Sequence, residues 1–289
     1  MNTNVFNGVC TALVTPFLDS KVNYPLVNQL LQRQLSAGVK AVVLAGTTGE
    51  SPTLSDREKV ELFRTGKHFT GDRCTIIAGT GSNDTIHTIE LSHAAQEAGA
   101  DALLIVSPYY NKANNDGLYA HYCSVASAVK IPIIIYNVPS RTGIDIPVEV
   151  YRELSSVPNI AGVKEACTNI TKIGEIRSSC PDSFHIWSGN DDQIVPVMSL
   201  GGKGVISVLS NIYPAEAVEM TSAALAGDYK KAASLQLKLL PFIKVLFREV
   251  NPIPVKYAMK HLGFDCGNCR LPLGSPSKET QLSIDSYFS

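Results

Sequence analysis

"SAGVKAVVLAG", from Ser36 to Gly46, passes from the end of a helical pattern through a glycine into an unbroken apolar run. The glycine suits the left-handed cap that closes a helix, and the run has the length of a buried strand. The same unit recurs as "EAGADALLIVS" from Glu97 to Ser107 and as "LGGKGVISVLS" from Leu200 to Ser210. A helix that feeds a strand buried on both faces is the repeating half of a parallel α/β sheet.

Further apolar runs lie at Val9 to Pro16, Thr75 to Gly81, Ile131 to Pro139, Ile160 to Ala166 and Phe184 to Gly189. With Ala41 to Ala45, Ala102 to Pro108 and Gly204 to Ser210 they make eight strand candidates. Helix-length segments separate them. Ser55 stands three residues before Glu58, a capping box, and Asn83, Thr168 and Asp191 occupy comparable places. Eight alternating units predict an α/β fold closed as a (β/α)₈ TIM barrel over residues 1–227. An open dinucleotide-binding sheet is disfavoured, because "AGTGSND" from Ala78 lacks the third glycine of GxGxxG and no GxxxxGK[ST] occurs. After Gly227 the pattern turns to helix alone, which predicts a C-terminal helical extension over residues 228–289, packed on the barrel.

A chain of 289 residues, 45% of them hydrophobic, can build a substantial core. Its formal net charge of −1, without a basic run interleaved with aromatics, gives no reason to expect nucleic acid or an anionic membrane as partner. The longest apolar stretch, Ile131 to Tyr136, is too short to span a bilayer, and "MNTNVFNG" has neither the basic nor the apolar region of a signal peptide. The expectation is a cytoplasmic protein. Seven scattered cysteines suit a reducing compartment, and the CxxC of Cys266 and Cys269 lacks a second ligand pair, so it reads as two free thiols rather than a zinc site.

Barrel enzymes work at the C-terminal ends of their strands, and the polar residues of this chain collect there: "GTTGES" from Gly46, "SPYYNK" from Ser107, "YNVPSRTG" from Tyr136 and "SGNDD" from Ser188. In "NIAGVKEACTN", from Asn159 to Asn169, a lysine interrupts an apolar run. Strand alternation places Ile160, Gly162 and Lys164 on one face, and Ala161, Val163 and Glu165 on the other. Desolvation disfavours the charged form of an interior lysine, and a neutral amine is a nucleophile for a carbonyl. Gly162 and Ala166 would leave room nearby. The competing reading is a lysine held inside the barrel by a carboxylate.

Schiff-base chemistry needs proton transfers, for which Tyr136, Tyr109 and Tyr110 are candidates; each also reads as a rim aromatic. Thr47 and Thr48, between Gly46 and Gly49, offer hydroxyls and backbone N–H groups to a carboxylate, or form a turn that starts a helix. Arg141 suits a second carboxylate, or ties down its own loop. Asp191 and Asp192 read as helix caps.

Taken in order, "GTTGES", "SPYYN", "YNVPSRTG", "GVKEA", "SG-D" and "NPIPVK" resemble the 4-hydroxy-tetrahydrodipicolinate synthase (dihydrodipicolinate synthase) family of the N-acetylneuraminate lyase superfamily, along nearly the whole chain. The resemblance implies condensation of pyruvate with L-aspartate 4-semialdehyde in the diaminopimelate branch of lysine biosynthesis. It makes Lys164 the Schiff-base lysine, and Tyr136, Thr48 and Tyr110 the proton relay, with Tyr110 reaching into a neighbouring subunit across a tight dimer interface. Thr47 and Thr48 would hold the pyruvate carboxylate, Arg141 the semialdehyde carboxylate, and Gly189 and Ile206 would contribute backbone near the nucleophile. No metal or organic cofactor is implied, and a homo-oligomer is: a tetramer of tight dimers. Of the family's lysine-binding allosteric pocket, Ser51, Asn83 and Tyr109 remain, whereas Asp56, Lys59 and His87 stand where other residues serve the lysine-inhibited members. Lys59 would repel a lysine ligand, so feedback inhibition is expected to be weak or absent.

Two other readings compete. A sugar-acid or N-acetylneuraminate aldolase would share barrel and lysine, but "YNVPSRTG" with Arg141 fits a short acidic aldehyde better. A barrel that binds a keto acid without turnover would need no proton relay.

Overall fold

The computed structural model describes residues 5–289, so the first four positions of the N-terminal stretch read above lie outside the described residues. Eight parallel strands close a barrel: β1 (Gly8–Ala12), β4 (Ala41–Leu44), β5 (Thr75–Gly79), β6 (Ala102–Val106), β7 (Ile133–Asn137), β8 (Ile160–Glu165), β9 (His185–Ser188) and β10 (Gly204–Ser207). β1 completes the ring by pairing with both β10 and β4. A short antiparallel ribbon, β2 (Phe17–Leu18) with β3 (Lys21–Val22), follows the first strand. All eight strand candidates are present. They are shorter than the apolar runs because the ends of those runs leave the ladder to build the rim.

The outer layer comprises α1 (Tyr24–Ser36), α2 (Asp56–Thr70), α3 (Thr85–Glu97), α4 (Asn115–Ala128), the short α5 (Pro139–Thr142), α6 (Val148–Leu154), α7 (Ile170–Ser179), α8 (Ile194–Ser199) and α9 (Pro214–Leu225). Three helices follow: α10 (Tyr229–Leu246), α11 (Ile253–Lys260) and α12 (Lys278–Asp285). α10 packs on α8 and α9, so the helices of the C-terminal part share the barrel's apolar shell.

Strand alternation sorts the core into two layers. Cys10, Val43, Ile77, Leu104, Ile134 and Trp187 fill the barrel, while Val42, Ile76, Leu103, Ile105, Ile135 and Ile186 pack outward against the helices. β8 departs from simple alternation. Ile160 belongs to the outer layer and Ala161 to the interior, the reverse of the sequence expectation for both. The cause is an extra residue in the β7–β8 ladder, where Ile133 pairs with Ile160 but Ile134 pairs with Gly162. Gly162 has φ +150°, and a Cβ there would come within 1.9 Å of the His185 carbonyl oxygen. Its glycine therefore serves the approach of β9 and not, as the sequence suggested, space for a ligand. Past the bulge the alternation resumes, and Lys164 faces inward.

The Ser55–Glu58 capping box forms at α2 as expected. At α3 the cap is Asp84 instead of Asn83, and at α7 Asn169 instead of Thr168, each one residue further on, where the carboxylate or amide oxygen meets the free N–H groups of the first turn. Asp191 caps a different element from the one that follows it in sequence: its Oδ2 accepts from the backbone N–H groups of Val208 and Leu209, at 2.9 and 2.8 Å, where a one-turn helix begins after β10. No helix among the described residues is long and apolar enough to cross a membrane.

Candidate active site

Lys164 and Tyr136 are partners in the β7–β8 ladder, one step before the ends of their strands. Both point into the barrel, and Lys164 Nζ lies 4.2 Å from the centroid of the Tyr136 ring. Four lysines of the described chain are buried: Lys59, Lys164, Lys172 and Lys256, at 8, 5, 6 and 2% exposure. Lys59 pairs with Asp56, Lys172 with Asp145 and Glu165, and Lys256 with Glu50. Lys164 has no carboxylate within ion-pairing distance among the described residues, which removes the reading of a carboxylate-held interior lysine. Its charge is felt by two buried acids, Cys10 and Asp191. Burial pushes the Asp191 carboxyl up, opposed by the Ser207 hydroxyl, the N–H groups of Leu209 and Val208 and the Lys164 ammonium.

Tyr136 lines a cavity of about 590 Å³ together with Gly46, Thr47, Tyr109, Val138 and Arg141. Thr48, next to Thr47 in sequence, is buried, and its Oγ1 accepts a 3.0 Å hydrogen bond from Asn251 Nδ2. Arg141, in α5, donates to the Asn251 carbonyl oxygen at 3.0 Å. Asn251 thus joins two of the sequence-predicted residues, a role no motif had assigned it. The loop carrying Thr47 and Thr48 is held by Thr15, whose hydroxyl donates to the Gly49 carbonyl at 2.7 Å, and by Glu50, buried against Lys256.

Ile206 sits inside the barrel on β10. Gly189 follows β9, and its N–H donates to the Glu165 carbonyl at 2.7 Å; a Cβ there would lie 2.6 Å from that of Ala166, so only glycine lets these strand ends approach. Tyr110 stands apart. It is 92% exposed with φ +73°, a left-handed conformation uncommon outside glycine, and it does not line the cavity.

The cavity also has a polar lining, to which Ser51, Asp56, Lys59, His87 and Tyr109 contribute. His87 Nε2 lies 2.8 Å from Asp56 Oδ2, and Lys59 Nζ 3.4 Å from Asp56 Oδ1. Asn83 does not line it; its carbonyl accepts from Asn111 Nδ2 at 2.9 Å. Cys266 and Cys269 are both free thiols pushed up by burial, to about 12 and about 11. Among the described residues no group of three or more His, Cys, Asp or Glu is placed to hold a metal.

Known proteins resemble this arrangement over its whole length. The model of the Dihydrodipicolinate synthetase family matches residues 5–289. The 4-hydroxy-tetrahydrodipicolinate synthase of Thermoanaerobacter sp. (strain X514) is 50% identical over 286 residues, 99% of this chain and 96% of that one. Among solved structures, the dihydrodipicolinate synthase of Aquifex aeolicus superposes with TM-score 0.96 at 42% identity, covering 98% of this chain and 97% of that one. A structure described as the first monomeric dihydrodipicolinate synthase variant superposes equally, with TM-score 0.96 at 38% identity over 98% of this chain and 96% of that one.

Proposed function

The chain belongs to the dihydrodipicolinate synthetase family, and on that premise we propose how its residues condense pyruvate with L-aspartate 4-semialdehyde to 4-hydroxy-tetrahydrodipicolinate in lysine biosynthesis. The observation that carries the assignment is that Lys164, alone among the buried lysines of the described chain, has no carboxylate partner. An interior amine left uncommitted is costly to a fold, and such cost is tolerated where chemistry uses it.

Lys164 Nζ attacks the C2 carbonyl of pyruvate, and the carbonyl oxygen leaves as water once two protons have reached it, giving an imine. Loss of a C3 proton converts the imine to an enamine, whose carbon attacks the aldehyde of the second substrate. The amino group of that substrate then adds to the imine carbon and expels Lys164 as the ring closes. The nitrogen of the imine is the electron sink, so the route calls on no metal or organic cofactor. Tyr136, Thr48 and Tyr110 carry the protons, Tyr110 serving the site of a neighbouring subunit. Thr47 and Thr48 receive the pyruvate carboxylate beside Gly189 and Ile206, and Arg141 receives that of the semialdehyde.

The working unit proposed here is a homodimer that pairs further into a tetramer, in the cytoplasm. The left-handed backbone of the exposed Tyr110 supports the dimer, because strained conformations of non-glycine residues are kept where they serve a function, here reaching a neighbouring site. Incubation with pyruvate, borohydride reduction and peptide mass spectrometry test the proposal. The adduct is expected on Lys164, and an adduct on another lysine, or on none, overturns it.

A further inference from the structure

The residues that follow Tyr136 and Lys164 in their strands form a second pair on the other side of the barrel wall. Asn137 and Glu165 are the next ladder partners, both are buried, and Asn137 Nδ2 donates to Glu165 Oε1 at 2.7 Å. Because successive strand residues face opposite ways, this bond lies directly behind the Tyr136–Lys164 pair.

Each partner is anchored again. Asn137 Nδ2 also donates to Asp145 Oδ1 at 2.7 Å, and its Oδ1 accepts from the Ile146 N–H at 3.2 Å. Glu165 Oε1 accepts from the Cys167 N–H at 2.9 Å, and Oε2 accepts from the Tyr151 hydroxyl at 3.1 Å. Lys172 Nζ lies 3.6 Å from Oε2 and ion-pairs with Asp145, balancing charge within the group. Burial first, and Glu165 second, push the Tyr151 phenol well up, so it stays a donor. None of these atoms reaches the barrel interior. A network so fully satisfied behind a strand end is stiff, and its stiffness passes to the next side chain along.

We propose that Asn137 and Glu165 are positioning residues: their hydrogen bond behind the wall sets the distance between the Lys164 amine and the Tyr136 side chain in front of it. The inference rests on the Schiff-base assignment of Lys164. Misplacing reacting groups by about 1 Å costs on the order of 10²-fold in rate, without a matching loss of binding.

The test compares the rate of borohydride-trapped pyruvate adduct, kcat and the pyruvate KM in wild type, Glu165→Ala, Glu165→Gln and Tyr151→Phe, each corrected for folded fraction. Glu165→Ala is expected to slow both trapping and kcat by about 10²-fold with a much smaller change in KM. Glu165→Gln, which keeps an acceptor for Asn137 and Cys167, should recover most of that rate. Should Glu165→Ala fail to fold, Tyr151→Phe decides alone: it takes one O–H from the carboxylate and nothing from the barrel, and kcat should still fall. Wild-type trapping on Lys164 together with wild-type kcat in the folded variants overturns the positioning role. Absence of a Lys164 adduct in the wild type overturns the Schiff-base assignment instead.

Discussion

Lys256 and Glu50 form a 2.8 Å ion pair wholly inside the protein, joining α11 to the loop after β4 across 206 residues of sequence. The remaining oxygen of Glu50 accepts from the Arg270 N–H at 2.8 Å, and Lys256 Nζ stands 4.3 Å over the Phe17 ring. The C-terminal part is thereby a strut for the threonine loop, and its removal would not leave the barrel rim unchanged.

Replacing Lys256 by Met leaves the Glu50 carboxylate buried without its cation. A loss of about 3–5 kcal/mol is expected in urea denaturation. The double variant Glu50→Gln, Lys256→Met should regain part of it, because no lone charge then remains. A Lys256→Met midpoint equal to wild type would show that the pair bears no stability.

Lys164→Met should behave in the opposite way. Turnover disappears, while stability holds or rises by about 0.5–2 kcal/mol, as is common when a functional polar group is removed from a core. Lys172→Met, which deprives Asp145 and buried Glu165 of their cation, should destabilise. Denaturation midpoints of the two variants, measured side by side, check the contrast.

His121 sets a pH dependence away from the site. Its Nδ1 lies 2.9 Å from the Thr85 hydroxyl, its Nε2 is buried without a partner, and burial lowers its pKa from 6.5 to about 4. The unfolded chain therefore takes up this proton before the folded one. The resulting stability is full above pH 6.5, is lost progressively as the pH falls towards about 4, and changes no further below that. Stability measured at pH 7, 5.5 and 4.5 should fall less steeply in His121→Phe than in the wild type; parallel curves would refute it.

Lysine should inhibit poorly. Lys59 is buried in the cavity lining with Asp56 already engaged by both Lys59 and His87, so an arriving ammonium meets a cation whose counter-charge is shared. Initial rates in a coupled assay should stay near the uninhibited value at sub-millimolar lysine. Clear inhibition there would contradict the charge argument.

Local signals made the architecture legible. Glycine caps followed by apolar runs mark the helix-to-strand turns of this fold, and periodicity two placed Lys164 near the end of an inward face, where it is found. The same rule misplaced Ile160 and Ala161, because a bulge depends on the register with a neighbouring strand; its one local mark is Gly162, which was read as making room. The caps Asp84 and Asn169 were missed by one residue for a related reason: both candidate and actual cap are capping types, and only the path of the backbone decides which meets the free N–H groups.

Sequence alone determined which residue types were available at the rim: the interior lysine, the tyrosines, the threonine pair and the arginine, each at a strand end or in the segment that follows one. What only the tertiary structure decided is how they are held. Asn251 on Thr48 and Arg141, Lys256 on Glu50, and Asn137 on Glu165 join positions from 28 to 206 residues apart. Such contacts follow from barrel closure and the return of the C-terminal helices, which bring distant side chains to one place without imposing any pattern on the chain between them. The unpaired state of Lys164 is of the same kind, since a missing partner is a property of everything packed around an amine and not of the residues beside it in sequence.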